Sequence, residues 1–119
     1  GVVHGIITVE AIRTAQEKFG KGKPLTGEQV RWGFENLKID NARLSALGAD
    51  GFMPELKVSC EDHEGAGVVK FQQWDGAKWN IVSDWVSGDR QLVRGMIEES
   101  AAAYAKEKGI TPRDCSKEM

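Results

Sequence analysis

Long apolar runs are missing from this chain of 119 residues, and with them any stretch of the roughly 20 apolar residues that a bilayer-spanning helix needs. A basic excess is missing too. Sixteen Lys and Arg are scattered among eighteen Asp and Glu, for a formal net charge of -2, so no basic face is offered to nucleic acid. The charged start, apolar middle and cleavage site of a signal peptide are absent. The chain opens instead on Gly1-Val2-Val3, already inside an apolar pattern, as though earlier residues had been removed. Cysteine is scarce: Cys60 and Cys115 fit one disulfide in an oxidising compartment or two idle thiols in a reducing one. No internal repeat and no low-complexity tract occurs. The length suits one domain, or a piece of one, with a modest core.

What is present reads as helices followed by a hairpin and a last helix. Val3, Ile6, Ile7, Ala11, Ile12, Ala15 and Phe19 recur at helical spacing, with Glu10, Arg13, Glu17 and Lys18 expected on the opposite, solvated side and Gly20 as the stop. Thr26 and Gln29 form a capping box for a second helix, with Val30, Phe34 and Leu37 as its buried stripe and Trp32 at its edge. "IDNARLSALG" predicts a short irregular helical turn ending at Gly48. From Gly48 to Gly67 no period is sustained, and a connection that long usually has a function or crosses between bodies. "GVVKFQQW" and "KWNIVSDW" then predict two strands around Asp75-Gly76. On the second, Trp79, Ile81, Ser83 and Trp85 share one face, while Asn80, Val82, Asp84 and Val86 share the other. Ser87 or Asp89 caps a final helix whose stripe is Leu92, Val93, Met96, Ile97, Ala101 and Tyr104. It stops at Lys108-Gly109, before Pro112 and a polar tail.

The densest chemistry lies in Cys60-Glu61-Asp62-His63-Glu64. Cys60 and His63 have the spacing of a zinc half-site, but zinc takes about four ligands and no second CxxC, HxxxH or HExxH follows. Cys-His nucleophilic catalysis needs an oriented base and oxyanion donors, which adjacency in sequence does not supply. The plain reading is an exposed acidic loop with one cysteine tied elsewhere. "GKGKPLTG" lacks the Walker spacing, and no GxGxxG follows a strand. Trp74 and Trp79 flank the hairpin turn, where cross-strand aromatic pairing is the ordinary explanation.

The order of these elements carries a resemblance. "GVVHGIITVEAIRTAQEKFG", "LTGEQVRWGFENL", the loop "GADGFMPELKVSCEDHEGAG" and "VVKFQQWDGAKWNIVSDW" follow one another over essentially all 119 residues. The series resembles the C-terminal third of the branched-chain amino acid-binding protein family, the type I periplasmic solute-binding proteins of ABC importers. Gly51-Phe52, Asp62-His63 and the Asp75-Gly76 turn are the individual points of likeness. Family members are much longer, and the segments that hold a ligand carboxylate have no counterpart here.

The resemblance implies an α/β fold, the C-terminal part of a two-lobe type I periplasmic binding protein. Residues 1–47 would be helices of one lobe, 48–67 an interlobe crossing, 68–86 a β-hairpin and 87–119 a terminal helix and tail. The implied function is a periplasmic, non-enzymatic solute-binding subunit of an ABC importer, without cofactor or metal. It would close on a branched-chain or aromatic amino acid, or an aromatic acid, and present it to a membrane permease. A Cys60–Cys115 disulfide is implied, closing a loop of about 55 residues worth roughly 4 kcal/mol in the chain-entropy model. His63 would then be a structural hydrogen-bonding group.

His4 is the first ligand-contact candidate, at the positive end of a helix where a carboxylate is favoured. The alternative for His4 is packing among Val2, Val3 and Ile6. Phe52 is the second candidate, as an apolar wall. With the rest of the fold missing, Val2, Val3, Ile6 and Ile7 are expected to be bare and to promote self-association. The isolated chain is expected to bind no solute. Two other functions are a free-standing disulfide-tied interaction domain and a metal-dependent enzyme using Cys60 and His63.

Overall fold

The computed structural model describes residues 1–117. The chain falls into two compact units, Gly1–Ala66 and the residues from Gly67 onward, each described by itself.

In the first unit, helix α1 spans Val2–Phe19 and helix α2 spans Gly27–Glu35. Gly20 ends α1, its N–H donating to the Gln16 carbonyl at 2.9 Å. The capping box at Thr26 is formed: its Oγ1 accepts from the Gln29 N–H at 3.3 Å, and Gln29 Oε1 accepts from the Thr26 N–H at 2.9 Å. The stripe expected on α2 holds at Leu37, buried just beyond the helix, and needs correction at Val30 and Phe34. The buried residues of α2 itself are Gly33 and Glu35, while Val30 and Phe34 are only partly covered. The reason is the contact with α1. A Cβ at Gly33 would stand 2.2 Å from the Ala11 carbonyl oxygen and 2.9 Å from the Ala15 Cβ, so α2 meets α1 at backbone distance on its glycine face. Phe19 and Trp32 close the end of this pair edge to face, their ring centres 5.3 Å apart.

Beyond α2, strand β1 (Lys38–Ile39) pairs antiparallel with β2 (Leu56–Lys57). Between them lies helix α3 (Asn41–Ala46), capped by Asp40, whose carboxylate accepts from the Arg43 N–H at 2.9 Å. Leu37, Ile39, Leu44, Ala49 and Met53 form the core, and Val3, Ile6, Ile7, Leu56 and Val58 pack against it. The expectation of a bare apolar start is therefore corrected for Val3, Ile6 and Ile7, which this core covers; Val2 is 64% exposed. The stretch expected to cross between lobes supplies Ala49 and Met53 to the same core.

In the second unit, β4 (Gln72–Trp74) and β5 (Trp79–Ile81) form one antiparallel ladder, and β3 (Val68–Val69) and β6 (Val86–Ser87) another. The two continuous strands expected here are thus interrupted. Between the ladders the pairing slips by two residues on the second strand, a bulge, and the Ser83 hydroxyl accepts the Phe71 N–H at 2.9 Å. At the tip, Asp75 Oδ1 accepts from the N–H groups of Ala77 and Lys78 at 2.8 and 2.9 Å, closing a loop longer than a two-residue turn. Trp74 and Trp79 sit opposite each other, with ring centres 5.6 Å apart.

Helix α4 spans Arg90–Lys108. Asp89 caps it by accepting from the Leu92 N–H at 3.0 Å, and Gly109 ends it in the left-handed conformation, φ 63°. A short 3-10 turn covers Cys115–Lys117. No described residue of this unit is buried.

Candidate functional site

His4 stands in the first turn of α1 and is exposed. Val3, Ile6 and Ile7 turn inward on the same helix, so its position is not that of a packing group. Phe52, 59% exposed, follows a turn in which its N–H donates to the Ala49 carbonyl at 3.1 Å.

The acidic loop is organised by local hydrogen bonds. Ser59 N–H donates to the Asp62 carbonyl at 3.0 Å, and Asp62 N–H donates to the Ser59 hydroxyl at 3.1 Å. The Asp62 carboxylate accepts from the Glu64 N–H at 3.0 Å. His63 Nε2 lies 3.4 Å from Oε1 of Glu35, a buried carboxylate of α2. Both cysteines are disulfide-bonded. Among the described residues, no group of three or more His, Cys, Asp or Glu side chains is placed to hold a metal ion.

Sequence reasoning missed the strongest electrostatic feature. Glu10, expected on the solvated side of α1, is 1% exposed. It falls three residues after Ile7 and four after Ile6, which is the apolar face, and that spacing was the available signal. Arg43 grips it with two bonds, Nη2 to Oε1 at 2.7 Å and Nε to Oε2 at 2.9 Å, and Arg13 Nε adds a third at 2.9 Å. The Arg43 hydrogen bonds hold the Glu10 carboxyl below its ordinary range, against the opposing effect of burial, with help from Arg13. A carboxylate so engaged is a poor proton acceptor. Its work is to tie α3 to α1.

An exposed apolar surface lies on α4. Val93, Met96, Ile97, Ser100, Ala101 and Tyr104 line an open groove of about 580 Å³. The helical stripe expected to be buried is exposed along its whole length, Met96 at 63%. The expected burial is therefore corrected: among the described residues of its own unit, nothing covers this face to the point of burial.

No protein-family model and no curated protein matches the chain. Among solved structures it is similar to a crystal structure described as that of an ABC transporter permease from the Pseudomonas fluorescens group. The identity is 57%, the TM-score 0.90, and the match covers 95% of this chain and 27% of that one. This finding overturns the expected membership in the solute-binding family and the solute-binding function drawn from it. The resemblance rested on the order of short motifs, and an order of two helices, loop, hairpin and helix does not separate one kind of transporter component from another. The chain spans about a quarter of the length of the protein it resembles, which is described as a permease.

Proposed function

We propose that this chain is a portion of an ABC-transporter component of the permease kind, and that the portion lies outside the bilayer. The likeness to the protein described as a permease, 57% identical over 95% of this chain, carries the reading. No helix among the described residues is long and apolar enough to cross a membrane, which favours an extramembrane portion. The disulfide-bonded cysteines favour the oxidising side of that membrane. The role is non-enzymatic: the chain's part is mechanical, within an assembly whose other subunits supply ATP hydrolysis.

The test uses the longer natural polypeptide that contains these residues. Tagged and expressed in its own host, it should remain with membranes after alkaline carbonate extraction and co-purify with an ATP-hydrolysing subunit. Deleting its gene should abolish ATP-dependent uptake of the transporter's substrate. Complete release into the carbonate wash, with uptake intact in the deletion strain, would sink the proposal.

A further inference from the structure

The apolar face of α4 belongs to a unit with no buried core among its described residues. From Gly67 to Lys117 no residue is buried, although Leu92, Val93, Met96, Ile97 and Tyr104 recur at the spacing of a core-facing helix. Polar groups are kept off the stripe. The ion pair Arg94 Nε to Glu98 Oε1, 2.8 Å, joins residues outside it, and only Ser100 and the phenol of Tyr104 bring oxygen to the groove. A contiguous apolar surface of this kind marks an interface rather than a solvent boundary.

We infer that the α4 face is a docking surface for polypeptide of the same, longer chain, lying outside residues 1–119. Chain length decides the occupant. The similar solved structure contains a counterpart of nearly all of this chain, at 57% identity, within a polypeptide of which this chain covers 27%. The remaining 73% of such a polypeptide, tethered to the same helix, reaches the stripe at a high effective concentration. A free partner has no such advantage. The covering layer presents aliphatic side chains at the Met96 level and one hydrogen-bonding group to the Tyr104 hydroxyl, since a buried phenol takes a partner. This inference rests on the relative's length and not on its transport role.

Thiol labelling tests it, because both native cysteines are disulfide-bonded and leave an introduced thiol as the reporter. Met96→Cys places that thiol on the stripe, and Ala102→Cys places one on the opposite side of α4. In the 119-residue chain both should react with iodoacetamide at similar rates. In the longer natural polypeptide Met96→Cys should slow by roughly 100-fold, the protection of a stably covered site, while Ala102→Cys is unchanged. Equal rates in the longer polypeptide would overturn the inference. So would protection of Met96→Cys in the 119-residue chain that grows with protein concentration, which identifies a second copy as the occupant. Should Met96→Cys fail to fold, amide exchange across residues 92–104 of the unsubstituted proteins decides the same question. Slower exchange in the longer polypeptide supports the inference, and unchanged exchange overturns it.

Discussion

At the scale of single residues, Glu10 carries the sharpest expectations. Its carboxylate is buried and fully engaged, so Glu10→Ala removes three charge-assisted bonds and leaves two guanidinium groups that water can partly reach. The cost should be on the order of 2–3 kcal/mol, below that of stranding a deeply buried charge, and chemical denaturation of the 119-residue chain measures it. Because the folded-state pKa of Glu10 is lowered, its contribution is complete above the ordinary glutamate range and is lost as pH falls through the folded value. Glu10→Gln should therefore flatten the acid limb of the stability curve; an unchanged limb would assign the acid loss to other carboxylates. His4 and Phe52 lead to the opposite expectation. Both are exposed, so His4→Ala should leave the melting temperature where it is, and Phe52→Ala should move stability by less than about 0.5 kcal/mol. A larger loss at either position would reveal packing that their exposure denies.

At the scale of elements, caps were legible in the sequence and faces less so. Thr26–Gln29, Asp89, Gly20 and Gly109 stand where local chemistry puts them, because a cap depends on residues within four positions. The inner face of α2 was not legible. Apolar spacing points to Val30 and Phe34, yet the closest approach is at Gly33, since what decides it is the shape of α1 across the gap. Gly33→Ala gains about 1 kcal/mol of helix propensity but drives a methyl into a carbonyl. Overpacking of that kind costs up to about 3 kcal/mol or more, so the net effect should be destabilising, read as a lower denaturant midpoint. The hairpin was legible as a hairpin, whereas its two-residue slip was not, because Ser83 stands in for a backbone partner only once the strands meet. Asp75 holds the tip: backbone N–H donors, Lys78 first, and the Asn80 side chain keep its carboxyl below the usual range. Asp75→Ala should weaken the exciton signal of the Trp74–Trp79 pair in circular dichroism, and acid should weaken it in the parent as Asp75 is protonated. A signal indifferent to both would show that the strands alone set the tip.

At the scale of the molecule, the two units differ in kind. Gly1–Ala66 has a core and a buried ion cluster, while no described residue beyond Ala66 is buried. Proteolysis at low enzyme concentration should accordingly cut first after residue 66, leaving a resistant piece that, once its disulfide is reduced, mass spectrometry sizes near Gly1–Ala66. Early cuts within α1 or α2 would contradict that ranking. Thiol titration of the unreduced chain in denaturant should find no free cysteine, and two reactive thiols would refute the disulfide. The larger identity was the least legible layer. Motif order suggested the wrong component of a transport system, because the residues that distinguish such components need not lie in a segment matching 27% of a relative.

The contact at Gly33 also bears on the protein's history. Every alternative to glycine adds a Cβ, and the nearest obstacle to it is the Ala11 carbonyl, an atom common to all residues. Trimming the neighbour at position 15 would relieve the lesser clash and leave the greater. No single compensating substitution can therefore reopen the position, and descent with modification can alter it only by re-aiming a whole helix. Among sequences that keep this helix pair, glycine at 33 should persist long after the surrounding apolar residues have been exchanged, and an alignment of descendants rich in alanine there would show that the helices separate more readily than their spacing implies.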